Sequence, residues 1–247
     1  MNKSHATGWT SASPTPAQIK EFFAQIESGR ITKRKLQGFL RTNTAMKNEG
    51  VARDIMGDDI IFPDEIAEVR GFSYTEAQLK QLSDIMPTAD VMQWCKENGF
   101  ALMPTPPEAM FLLDIRALKA DHFYSKTGGW YGEDKQKFAR DDKTSFGWIM
   151  IKKTPVDKST SKDWDEQNKL LSDVERVPNV AETVWFITTF YEVRGVRLFE
   201  RIYVRTSSLD SDGGRVYVGN FGAKGLYVAY NWDSSRHGHL GLASARK

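Results

Sequence analysis

The sequence predicts an α+β fold: an N-terminal helical hairpin, then a mixed domain whose C-terminal antiparallel β-meander packs on helices. Three observations lead there. Apolar residues recur at helical spacing from residue 15 to 41. A capped, strongly apolar helical run follows at 179–195. From Arg197 onward, short runs rich in Val, Tyr, Phe and Leu alternate with Gly and Asp turns, and short connections favour antiparallel pairing.

Residues 1–14 read as a flexible N-terminus and 15–43 as the hairpin. Thr15 caps the first helix, with Pro16 at its first position and Ile19, Phe22, Phe23 and Ile26 along one side. Gly29 ends it, and Thr32 caps a second arm that begins with Lys33, Arg34 and Lys35 and carries Leu36, Phe39 and Leu40. Those cations fall in the first turn, where the helix dipole disfavours them, and no Asn, Gln or Arg pattern suggests base reading. Residues 44–71 read as an acidic connector with one short helix, and 72–247 as the α+β domain.

Within that domain, Thr75–Ile85 and Thr88–Asn98 read as helices, Phe100–Met103 as a strand, and Glu108–Lys119 as a helix after a proline turn. The segment 121–144, with Gly128, Gly129 and Gly132 around Trp130 and Tyr131, reads as a mobile aromatic loop. A strand over Phe146–Lys152 follows, then a helix through Leu171 opened by a capping box of Asp163 and Glu166. Asn179 and Glu182 form the same box before a helix that Gly195 ends; its apolar residues surround it, which marks the buried centre of the domain. The closing strands are Arg197–Thr206, Arg215–Phe221, Leu226–Trp232 and His239–Ala245.

Composition bounds the function. With 40% hydrophobic residues, 27% charged and seven tryptophans, the chain is expected to fold rather than remain disordered. No apolar run approaches the ~20 residues that span a bilayer, and the start lacks the apolar core of a secretory signal, so a soluble, cytoplasmic protein without a membrane partner is expected. One cysteine, Cys95, excludes an internal disulfide and a cysteine-based zinc cluster, and its setting in a helical pattern marks it as core. The net charge of +2 is unevenly spread. Residues 1–43 carry seven Lys/Arg against two Asp/Glu, and residues 44–101 five against eleven. That contrast fits either a nucleic-acid contact or two segments that pack together.

The strongest functional signal is alternation. In RLFERIYVR, Leu198, Ile202 and Val204 share one strand face while Arg201, Tyr203 and Arg205 share the other; Arg215 and Tyr217 repeat the pattern on the next strand. With the apolar faces inward, the arginines and tyrosines form a surface suited to phosphate contacts and to stacking on bases or sugars. SLDSDGG, 208–214, spaces Asp210 and Asp212 like a calcium loop but lacks the later ligands, and so reads as a hairpin turn. His237 and His239, two apart, would share a strand face and could chelate a divalent metal such as zinc with Asp233, or with His122 or Asp121, as third ligand. No P-loop, dinucleotide-binding fingerprint, nucleophile elbow or HExxH occurs.

Several blocks carry a resemblance: KFARDDKTSFGWIMI (137–151), STSKDWDEQNKLLSDVERVPNVAE (159–182), RLFERIYVRTSSLDSDGGRVYVGNF (197–221) and HLGLASARK (239–247). Together they resemble hypothetical proteins of candidate-phylum bacteria known from metagenomes, and ESGRITKRKLQGFLR resembles a leader module placed before varied domains in those bacteria. The resemblance implies a bacterial, intracellular protein and a boundary after the hairpin; it transfers no catalytic residue. The reading is therefore a cofactor-free binding or interaction protein that meets an anionic partner such as nucleic acid through Arg201, Tyr203, Arg205, Arg215 and Tyr217. The rival is a metal-dependent hydrolase built on His237, His239 and Asp233.

Overall fold

A computed structural model describes residues 14–31 and 49–247, which fall into two compact units, one up to Gly50 and one from Val51. In the first unit, helix α1 (Pro16–Glu27) starts at Thr15, whose Oγ1 accepts from the Gln18 amide while Gln18 Oε1 accepts from the Thr15 amide. Gly29 follows the helix in the left-handed region, as the sequence predicts. The second arm of the hairpin, with Lys33, Arg34 and Lys35, and the expected flexible N-terminus up to residue 13 lie outside the described residues.

The second unit is α+β with two four-stranded sheets. Its elements run α2 (Pro63–Arg70), α3 (Glu76–Asp84), α4 (Ala89–Glu97), β1 (Phe100–Pro104), α5 (Leu112–Leu118), α6 (Phe138–Asp141), β2 (Trp148–Lys152) and α7 (Trp164–Asn168). After these come β3 (Glu175–Arg176), α8 (Val180–Arg194), β4 (Tyr203–Leu209), β5 (Arg215–Gly222), β6 (Gly225–Asn231), β7 (Leu240–Leu242) and β8 (Ala245–Arg246). One sheet has the order β1-β2-β8-β3 and the other β6-β5-β4-β7.

Helix α8 is the centre that the sequence predicts. Asn179 Oδ1 accepts from the Glu182 amide and Glu182 Oε2 from the Asn179 amide, each at 2.9 Å, and Arg176 clamps the same carboxylate at 2.7 and 2.8 Å. From Val180 to Phe190 every residue is buried. The helix touches β2 of one sheet and β4 and β5 of the other, so it serves both cores. Gly195 closes it in the left-handed region.

Several expectations are corrected. The acidic stretch 44–71 is no connector from residue 51 onward: Met56, Ile60, Ile61, Phe62 and Ile66 are fully buried or nearly so. Ile60 bridges to Leu102 on β1, and this segment with α4, including the buried Cys95, covers the side of β1 and β2 away from α8. The aromatic segment 121–144 is packed: the Trp130 indole N–H donates to Val228 O at 2.8 Å, and Tyr131 is buried. The first strand of the meander starts at Tyr203, not Arg197, because residues 199–201 form a turn with Phe199 in the left-handed region at φ 53°. The helices expected over Glu108–Lys119 and through Leu171 are the shorter α5 and α7.

The last correction concerns topology. Strands β4, β5 and β6 form the antiparallel meander, with Asp210 Oδ1 accepting from the Asp212 and Gly214 amides in the β4–β5 turn. The closing strand splits in two: β7 pairs parallel with β4, and β8 joins the other sheet between β2 and β3. Because β6 and β7 run in the same direction, residues 232–239 must return along the length of the sheet. Eight residues reach roughly 26 Å when extended, enough for a seven-residue strand.

Asn179→Ala removes the cap of the central helix and should lower the unfolding free energy by about 1 kcal/mol, read from urea denaturation of the full chain. An unchanged midpoint would show that Arg176 holds Glu182 and the helix start unaided.

Candidate ligand-binding face

The inner face of the β6-β5-β4-β7 sheet carries Val204, Val216 and Val218, all fully buried. Strand alternation therefore turns Tyr203, Arg205, Arg215 and Tyr217 outward together, as the sequence predicts, and the register sets Arg205 opposite Tyr217 and Tyr203 opposite Gly219. Arg201 lies in the turn before β4 and is exposed.

The arginines have internal duties. Arg205 is fully excluded from solvent because α7 and the return segment lie over it. Its Nη1 donates to Gln167 Oε1 at 2.9 Å and to Lys162 O at 3.2 Å, and its Nη2 to Ser235 O at 2.6 Å and Trp232 O at 3.3 Å. Burial pulls its pKa below the usual arginine value. Arg215 sits 3.8 Å over the Trp164 ring and grips both oxygens of Asp233 at 3.1 and 2.9 Å. These two side chains pin the return segment to the sheet and leave little charge for a ligand.

What remains on the open part of the face is aromatic. Tyr203 meets Tyr217 edge to face, with centroids 5.1 Å apart, and meets His239 at 5.9 Å. Tyr227, two strands over, stacks on Tyr124 at 4.1 Å with planes 20° apart, and Tyr124 is 52% exposed. His237 continues the row 5.5 Å from His239. Burial lifts the Tyr217 phenol above its ordinary pKa, with Tyr203 adding to the effect; partial desolvation and then Tyr124 lift Tyr227. Both stay neutral at physiological pH, as stacking surfaces should. Gly219 makes the row continuous: it pairs with both Tyr203 and Tyr227, and a Cβ there would sit 2.2 Å from Ile202 O.

The metal reading does not survive the geometry. Among the described residues no group of three His, Cys, Asp or Glu side chains converges to hold an ion. Asp233 is spent on Arg215, and His237 Nε2 lies 2.9 Å from the Asn231 amide nitrogen. His122 and Asp121 belong to another part of the domain, near α8. His239 precedes β7 instead of opening it, so the spacing of two does not carry strand parity.

Tyr124 and Tyr227 are the residues that sequence reasoning missed. Tyr227 alternates within GLYVAYN and was available to the same argument as Tyr203. Tyr124 reaches the face only because Phe123 bridges in parallel to Leu226, a contact with no local signature. No family model matches the chain, and neither a curated protein nor a solved structure matches it.

Replacing Arg205 by Met keeps the length of the side chain but abandons four acceptors, three of them on the overlying segments. The variant should lose about 2–4 kcal/mol in urea unfolding, and backbone amides over 232–239 should exchange faster. Equal stability with unchanged exchange would mean that packing alone holds the return segment.

Proposed function

We propose that the unit from Val51 is a binding module for single-stranded nucleic acid, with bases stacking on Tyr203, Tyr217, Tyr227 and Tyr124. The observation that carries the reading is the row of outward rings on a sheet whose inner face is core. Stacking platforms of this kind tolerate any sequence, because every base has a π-face.

Charge supports a strand over a duplex. Antiparallel pairing brings the turn before β4 and the β5–β6 turn to one end of the sheet, the end that holds Tyr203, Gly219 and Tyr227. Arg201 and Lys224 belong to those turns; both are exposed, and neither is paired with a carboxylate among the described residues. They are the phosphate contacts in this reading. Arg205 and Arg215, occupied internally, are not.

Two phosphate contacts to a single strand give a shallow salt dependence, with log K falling against log salt at a slope of about −1.4. A labelled oligothymidylate titrated into the full chain at low salt should bind with that slope. Tyr203→Ala and Tyr217→Ala should each weaken binding by about 1–3 kcal/mol. Arg201→Ala should flatten the slope by about 0.7. Absence of binding at low salt, or full affinity in Tyr203→Ala, would overturn the proposal.

A further inference from the structure

The last turn of α8 borders an open depression of about 570 Å³, whose wall includes Glu68, Lys119, His122, Tyr191 and Glu192. Beneath it lies Arg70, at the end of α2, with no exposed side-chain surface. Its Nη2 donates to the hydroxyls of Thr188 and Thr189 at 2.7 and 2.8 Å, and its Nε lies 2.9 Å from Glu192 Oε2. The Glu192 side chain is only 7% exposed, and its Oε1 faces His122 Nδ1 at 3.6 Å and Lys119 Nζ at 3.9 Å.

A single buried carboxylate thus faces one nitrogen of an imidazole, just beyond hydrogen-bond distance. His122 Nδ1 is buried and accepts or donates no hydrogen bond within normal distance, while the ring keeps 19% exposure along its other edge. Charges around the ring do not balance. Arg70 offsets Glu192, and Asp121 is bound to Lys126 at 2.6 Å. Lys119 and Arg197 then stand against Glu68; Arg197 lies 4.6 Å over the Tyr191 ring and donates to its hydroxyl at 3.0 Å.

We infer that this depression binds a small, doubly charged oxyanion of the phosphate or sulfate type together with one proton. The anion meets Lys119 and the outer edge of His122; the proton comes from solvent to His122 Nε2, and Glu192 holds the opposite nitrogen of the resulting imidazolium. No bond in the anion is broken. Without an anion, burial and then the nearby Arg70, Lys119 and Arg197 hold the His122 pKa down at about 4, with Asp121 opposing them. Burial also lifts the Glu192 carboxyl above its ordinary pKa, against the pull of Arg70 and Lys119. An anion on the outer edge reverses the balance at His122, so affinity rises as pH falls through the bound-state pKa and levels off below about 4.

The test is an NMR pH titration of the His122 ring in the full chain, in sodium sulfate and in sodium chloride at matched ionic strength. Sulfate should raise the midpoint by about one unit or more. Lys119→Ala should remove the difference and Glu68→Gln should widen it. Equal midpoints in the two salts, or a difference that persists in Lys119→Ala, would overturn the inference. If acid unfolding intervenes at lower pH, calorimetry of sulfate binding near pH ~5, between the free and bound midpoints, in two buffers of different ionisation enthalpy reads the same proton uptake; identical heats would be the contradicting result. Tyr203→Ala should leave the sulfate effect intact, so this site and the stacking face stand or fall separately.

Discussion

The return of the chain across the β6-β5-β4-β7 sheet depends on one buried guanidinium. Arg205 has no carboxylate partner among the described residues, and a cation taken out of water without compensation is costly enough to undo a fold. Its Nε stays buried without a hydrogen bond, and four oxygens compensate Nη1 and Nη2, from Lys162, Gln167, Trp232 and Ser235. They come from two segments distant in sequence, so pairing the two terminal nitrogens of one side chain fixes α7 and the 232–239 segment on the same strand. With that segment in place, β7 can only lie parallel to β4, and the two residues after it carry the chain into β8 of the other sheet. A charge at a central strand position thereby links both sheets.

The same arrangement divides the outer face. One part is covered, with Arg205 and Arg215 consumed in holding the cover. The other part keeps Tyr203, Tyr217, Tyr227 and Tyr124, with His239 and His237 at its border. Charge holds the structure and aromatic surface is left for contact, which is why a ligand read on this face is one that stacks. Helix α8 packs behind β4 and β5 and is buried along eleven successive residues.

Features carried by local chemistry were legible in the sequence. The capping boxes at Asn179 and Asp163, the left-handed stop at Gly195 and the Asp210 turn each depend on residues within five positions of one another. The outward alternation of Tyr203, Arg205, Arg215 and Tyr217 was legible for the same reason. What those residues do was not. Burial of Arg205 requires knowing that residues 162–167 and 232–235 land on it, and sequence spacing is silent on that. Phe199 at positive φ is a bulky residue in a conformation usually left to glycine, so the strand was expected to begin too early. The run Ile60–Phe62 was hidden in an acidic stretch because each residue is buried by a partner far along the chain, Leu102 among them.

We propose the tyrosine row as the contact surface of the domain. Ring-proton NMR of Tyr124, Tyr203, Tyr217 and Tyr227 during titration of the full chain with a short single-stranded oligonucleotide at low salt tests it most directly. These four rings should shift together under the ring currents of the stacked bases, while the ring of Trp94, which packs against Phe100 and Arg246, stays fixed. Oligonucleotide binding that leaves the four tyrosine rings unmoved would contradict it.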